Sequence, residues 1–205
     1  MKRSVFLIFL SLMAQLGFSQ QMENHILKNI GYISIPANME LQSSSKTSTT
    51  GFEKALENRV VFQEKGTNTD AKNDYSSYAR VILKTTVGTA GDFEKLTTNL
   101  SETPAELSKL NDQLKSEIEE SFTGTGVKLI SWYGAQIVSI NGRTALNISY
   151  LRQLNDQPHV AVSIYQFNNN DRIHKLTLSY TVKDAAKWEP LYSKVLSSFT
   201  ITNVR

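Results

Sequence analysis

Apolar and polar residues alternate along Tyr32-Ile33-Ser34-Ile35, and the alternation stops at Pro36. Period-two patterning closed by a proline predicts a short strand. Residues 20–29 ahead of it read as a polar lead-in. Val60–Gln63 and Tyr78–Thr85 predict two further strands. The stretches Ser43–Thr50 and Lys65–Ser77 between them have almost nothing to bury and read as mobile loops.

The pattern then changes period. Gly91-Asp92 precedes FEKLTTNL, which predicts a short helix with Asp92 as its N-cap. Thr103-Pro104-Ala105-Glu106 follows as a capping box, with Pro104 at the first helical position. Leu107, Leu110, Leu114, Ile118 and Phe122 recur at spacings of three and four, one apolar stripe of an amphipathic helix. Lys109, Asp112, Lys115, Glu119 and Glu120 form its solvated side, and Gly124 and Gly126 end it.

The second half returns to strands. Val127–Trp132 leads into Ala135–Ile140, and Asn141-Gly142 is a strong two-residue hairpin signal. A type I′ turn there pairs Ile140 with Arg143, Ile137 with Leu146 and Ala135 with Ile148. One face then collects Ala135, Ile137, Leu146, Ile148 and Tyr150 as core, and the other is half polar. A second hairpin joins His159–Phe167 to Arg172–Val182 through Asn168–Asp171. Centred on that loop, the register sets Tyr165 opposite His174 and His159 opposite Tyr180. Its faces hold Ala161, Phe167, Leu176 and Leu178 on one side, and Val160, Val162 and Ile164 with Lys175, Thr177, Ser179 and Thr181 on the other. Asp184 then caps a last helix carrying Trp188, Leu191, Val195 and Phe199, with Pro190 in its early turns. Ile201 and Val204 suggest a closing strand.

The N-terminus has a different logic. Lys2 and Arg3 precede the apolar run Val5–Phe18, which is short for a membrane span, and Gly17-Phe18-Ser19 offers small residues to a signal peptidase. Residues 1–19 are therefore expected to be a signal peptide and 20–205 one domain, periplasmic or secreted. Cleavage leaves 20 Lys+Arg against 19 Asp+Glu, so the mature chain is nearly neutral. That balance argues against nucleic acid as a partner. No later apolar run reaches membrane length, so no membrane insertion is expected after cleavage. The absence of cysteine in all 205 residues excludes disulfides, thiolate metal sites, a thiol nucleophile and a lipidated cysteine.

Motifs for nucleophilic, phosphate-binding or zinc chemistry are missing: there is no G-x-S-x-G, P-loop, G-x-G-x-x-G or H-E-x-x-H. Of the three histidines, His159 and His174 stand six rungs apart in the expected register. At about 3.3 Å per rung that is roughly 20 Å, too far for a shared metal. No catalytic residue, metal or cofactor is expected. Trp132, Arg143, Arg152, Tyr165 and His174 are the side chains expected to serve binding, through stacking, charge and hydrogen bonds. Each also has a structural reading: Trp132 as a core anchor, the arginines as caps of a sheet edge, and His174 as one half of a hydrogen-bonded pair. Arg152, ending a run of apolar and aromatic residues, either reaches solvent or meets a carboxylate.

Ile33–Pro36 as I-x-I-P, a middle helix, the strand-NG-strand of Ile137–Tyr150, the aromatic hairpin Val160–Tyr180 and the W-x-P…L-x-S-F run of Trp188–Phe199 together resemble the PsbP-like superfamily of PsbP- and DcrB-type envelope proteins. The resemblance implies an α+β fold, a central antiparallel sheet flanked by helices as an α/β/α sandwich. It also implies an accessory or binding role and no set reaction. The chain departs from the DcrB type in lacking a lipid-modified cysteine, and no residue role is carried over. The expected function is that of an exported, non-catalytic accessory or binding protein of the bacterial cell envelope, with an envelope protein or small ligand as partner. A periplasmic hydrolase and a structural envelope component are the alternatives. Intact mass of the native protein should show a chain beginning at Gln20; full-length chain recovered from the cytoplasm would refute the leader.

Overall fold

The computed structural model describes residues 21–42, 59–67, 77–96 and 104–204. The expected leader, the Ser43–Thr50 stretch, most of the expected Lys65–Ser77 loop and the expected Thr103 cap lie outside the described residues. The described chain is α+β, with a large antiparallel sheet, a small one and two helices. Strands β1 (Met22–Leu27), β2 (Gly31–Pro36) and β10 (Thr200–Ile201) make a small sheet in the order β1-β2-β10. Strands β3 (Met39–Leu41), β4 (Arg59–Glu64), β5 (Ala79–Val87), β6 (Val127–Ile140), β7 (Arg143–Leu154), β8 (Val160–Asn168) and β9 (Arg172–Thr181) make a large one. Its order is β3-β4-β5-β9-β8-β7-β6.

Side-chain parity divides the large sheet into two packed faces. On one, Phe62, Val81, Leu83, Leu176, Leu178, Phe167 and Ala145 meet Ile33 and Ile35 of β2 and helix α2 (Ala185–Ser198). Trp188 and Val195 of α2 are fully buried there. On the other, Ile148, Tyr150, Val160 and Val162 lie under Leu114 and Ile118 of helix α1 (Pro104–Ser121) and under Phe122 just past its end. Leu114, Ile118 and Phe122 of the apolar stripe read from the sequence face the sheet, as their spacing requires, and Asp112, Glu119 and Glu120 face water.

The Asn141-Gly142 turn forms as expected. Both residues have positive φ, 49° and 72°, and Ile140 pairs with Arg143. Beyond Ala135 the pairing departs from simple alternation. Irregularities fall between Leu129 and Ser131 and between Trp132 and Gly134. Each inserts one residue, Ile130 and then Tyr133, which are 39% and 64% exposed. Counting back from Ala135, the Tyr133 insertion brings Trp132 to the helix side, where strict alternation would have put Tyr133 and Ser131, and the Ile130 insertion restores Leu129 to its alternating place on that side. β6 is also a sheet edge. Asn111 of α1 covers it, its Oδ1 accepting the Ala135 N–H at 2.7 Å.

Four local expectations fail, each for a stated reason. The polar lead-in is strand β1, an edge strand whose pairing with β2 runs through backbone bonds and leaves Ile26 92% exposed, so no alternation marks it. No helix forms over Phe93–Leu96. The Asp92 carboxylate accepts the Thr89 N–H behind it at 2.7 Å, and Phe93 bridges in extended form to Asn170. The second hairpin is shifted by two in its pairing: Phe167, not Tyr165, faces His174, and His159 lies beside Val182. Its turn closes at Asn169 and Arg172, held by the Phe93 bridge and by Asn169 Nδ2 donating to the Asn203 carbonyl at 2.9 Å. A shift of two keeps every side chain on its expected face. Asp184 flanks α2 but makes no side-chain cap; its carboxylate instead accepts from Thr181 Oγ1.

Gly31 permits the small sheet to close, since a Cβ there would stand 1.8 Å from the Thr200 carbonyl oxygen. Gly142 is different: nothing lies within 4 Å of its missing Cβ, so only its φ matters. Gly142→Val should therefore cost about 1 kcal/mol or more through backbone strain alone. A lowered melting temperature with an unchanged far-UV spectrum is the expected result, and an unchanged melting temperature would contradict the turn.

Candidate functional site

Strand parity sets Tyr78, Arg80, Arg152, Tyr150 and Trp132 on the α1-side face of the large sheet. Tyr78 sits one residue before β5, and its carbonyl accepts the Thr181 N–H at 2.8 Å. Arg80 lies opposite Gln63 on β4 and Ser179 on β9. Arg152 of β7 lies opposite Leu129 and Val160. Trp132 and Tyr150 are direct cross-strand partners, their rings stacked 17° from parallel at 6.4 Å. Phe122 closes on Tyr150 from the end of α1, centroid to centroid 6.1 Å.

The two arginines converge on one ring. Arg80 Cζ stands 5.2 Å from the Tyr78 centroid and Arg152 Cζ 5.7 Å. Arg152 Nη2 also donates to the Tyr78 phenol oxygen at 3.1 Å. The ring is buried while both arginines are half-buried. The floor beneath is made of Val160 and Val162 on β8 and the short Ser179 and Thr181 on β9, all buried. Burial raises the Tyr150 phenol above its ordinary range, and the nearby Arg152 charge acts against that rise. Among the described residues no carboxylate pairs with Arg80 or Arg152. The sequence reading offered Arg152 solvent or an acid; it meets a phenol. We call this arrangement the arginine–tyrosine shelf.

The other candidate residues lie elsewhere. Arg143 donates through Nη2 to the Ile201 carbonyl at 2.9 Å and ties the Asn-Gly hairpin to β10, its structural reading. Tyr165 lines an open groove of about 250 Å³ between α2 and strands β8 and β9, with Tyr180, Glu189 and Ser193. Burial raises the Tyr165 phenol. Tyr180 donates to Glu189 Oε1 at 2.9 Å, and burial first, then that bond, pushes its pKa up to about 12.

His174 is a correction. It is 0% exposed and offers nothing to an external partner. Its Nδ1 lies 2.9 Å from Thr85 Oγ1, and its Nε2 has no partner among the described residues. The cause is the position of β9 inside the sheet, flanked there by Thr85 on β5 and Phe167 on β8. His159 is exposed and eight rungs away, about 26 Å at 3.3 Å per rung. Trp132 and Arg152 thus share one face, and Arg143, Tyr165 and His174 do not join them.

Tyr78 and Arg80 were missed as site residues. Their one signal is the Tyr78-x-Arg80 spacing, which puts both on one face of a strand. Their convergence with Arg152 depends on β5 pairing with β9, which no local pattern announces.

No protein-family model matches the chain, and no curated protein matches it by sequence. Solved structures do resemble it. The solution structure of cyanobacterial PsbP (CyanoP) from Synechocystis aligns over 89% of this chain and 93% of its own, at TM-score 0.51 and 12% identity. The chain has a PsbP-like fold. A Bacteroides thetaiotaomicron crystal structure aligns over 89% of this chain and 48% of its own, at TM-score 0.49 and 8% identity. A Pseudomonas aeruginosa protein of unknown function aligns over 88% and 96%, at TM-score 0.42 and 13% identity. At these identities the likeness concerns the fold. No helix among the described residues is long and apolar enough to cross a membrane.

The sealed histidine gives a pH prediction. Burial first, then the Arg172 charge, lowers its pKa from 6.5 to about 4; Asp171 acts against this and Arg143 with it. Above pH 6.5 the ring is neutral folded or unfolded, so nothing is lost. Between pH 6.5 and 4 the unfolded chain takes up a proton that the folded chain refuses. Stability should therefore fall with falling pH across that window, by up to about 3 kcal/mol, and level off below it. Urea denaturation at pH 7.5 and pH 4.5 measures this, and His174→Gln should remove that part of the slope.

Proposed function

We propose that this is an exported, non-catalytic accessory or binding protein of the bacterial cell envelope, and that the arginine–tyrosine shelf is where it meets its partner. The observation that carries this is a pair of half-buried guanidiniums gathered on one aromatic ring without an acid among the described residues. Buried or half-buried charge is ordinarily paired, and arginine on an aromatic face is a common element of recognition surfaces. The leader expected from residues 1–19 and the PsbP-like fold support the envelope setting. The layered reading, with α1 and α2 flanking the large sheet as an α/β/α sandwich, belongs to the same proposal and leaves the shelf on the face that α1 covers only in part.

Several hydroxyls are already engaged. Ser149 and Ser163 bond each other at 3.2 Å, Ser198 Oγ donates to the Val195 carbonyl at 2.7 Å, and Thr85 holds His174. That supports a binding role over a hydrolytic one.

Photo-cross-linking in the native envelope tests the reading. A photoreactive residue replacing Ile82, half-buried two residues along the same face of β5, should capture a discrete partner, and one replacing Ser193 in the tyrosine groove should not. Turnover of ester, peptide or glycoside substrates that a single Ser or His substitution abolishes without unfolding the protein would overturn it.

A further inference from the structure

The geometry points to an oxyanion, a carboxylate or phosphate group, as what Arg80 and Arg152 hold beside the Tyr78 ring. The inference rests on the binding role proposed above and names the chemistry of its ligand.

The basic side chains seen elsewhere with a partner are compensated. Arg172 forks onto Asp171 at 2.8 and 2.9 Å, Lys187 pairs with Glu64, and Lys115 with Glu119 at 3.5 Å. Arg143 rests on a carbonyl. Arg80 and Arg152 differ. Their guanidiniums lie within 5.2 and 5.7 Å of one centroid, so their Cζ atoms are at most about 11 Å apart. Two like charges so placed, over a floor of buried Val160, Val162, Ser179 and Thr181, repel through a partly desolvated medium. The π face answers part of that cost. It leaves the hydrogen-bonding edges unanswered. Arg152 spends Nη2 on the phenol, and the Arg80 guanidinium makes no hydrogen bond among the described residues.

A guanidinium beside a ring keeps N–H donors that the ring does not use, and their fork matches an oxyanion. One anion reached by both guanidiniums would offset their repulsion and take up donors that the ring and the phenol leave free. The demand is local, because the whole chain carries 22 basic against 19 acidic residues and has no general attraction for anions.

The test uses the purified mature protein at low ionic strength, titrated with inorganic phosphate, with benzoate, and with chloride as control. The readout is the guanidinium Nε–Hε signals of Arg80 and Arg152 in nitrogen-15 spectra. The inference expects a saturable shift of both signals with phosphate or benzoate and none with chloride, and the tighter of the two distinguishes a phosphate from a carboxylate ligand. R80Q and R152Q should each weaken binding about tenfold or more, the loss of one charged hydrogen-bonding partner. R152K should fall between, keeping charge without the fork. No saturation in the unaltered protein overturns the inference even if a variant fails to fold, as does equal response to chloride or binding that survives R80Q/R152Q with the fold intact. Failure here alongside specific cross-linking at position 82 leaves the binding role standing with a different ligand.

Discussion

Strand β9 is paired on both edges and carries buried side chains on both faces, and the other elements take their places from it. Its partners are β5 and β8, and Leu176 and Thr181 are 0% exposed on opposite faces. A strand so paired must satisfy its backbone groups through its neighbours, and its buried side chains through the layers above and below. Leu176 and Leu178 supply the apolar face that α2 and the small sheet cover. α2 leaves β9 through a single 3-10 turn, Val182–Asp184, and folds straight back onto it. Tyr192 makes the return specific: its hydroxyl donates to the Ser179 carbonyl at 3.0 Å and lies 3.1 Å from that of Arg80.

The same constraint creates the shelf. The opposite face of β9 carries Lys175, Thr177, Ser179 and Thr181, short or polar side chains between the aliphatic residues of β8 and the arginine-bearing β5. Ser179 and Thr181 do not fill the layer as leucines would. The room they leave is taken by the Tyr78 ring from one side and by Arg152 reaching across Val160 from the other. A small-residue strand in the middle of a sheet thus lets side chains from strands on either side of it meet.

Much of this architecture was legible in the chain. The Asn-Gly turn, the parity of four strands and the stripe of α1 follow from local patterns of period two and 3.6, and those patterns act over a few residues. What was not legible depends on distant contacts. The β8–β9 turn is set by Phe93 and Asn203, and β1 is a strand because β2 offers it an edge. The two insertions in β6 are invisible to periodicity, yet they turn Trp132 toward Tyr150. For the site, Arg152 and Trp132 were legible as unusual side chains near a strand end. His174 was legible only as a titratable residue on a sheet, and the burial that withdraws it from any surface comes from strands β5 and β8. Tyr78 and Arg80 complete the shelf through a pairing across nearly a hundred residues of sequence.

The fold itself does not ask for arginine at positions 80 and 152. A PsbP-like arrangement is reached here at 12% identity to the CyanoP structure, so its geometry tolerates wide change wherever parity and volume are kept. At both positions a leucine or threonine would cover the floor without the cost of partly desolvating a charge. Placing a guanidinium there, and a tyrosine whose ring and hydroxyl engage it, adds electrostatic strain that the core does not need. Departures of this kind from the local optimum concentrate at functional surfaces, where stability is traded for recognition. The shelf is such a departure, and its chemistry is carried by three side chains the architecture merely permits.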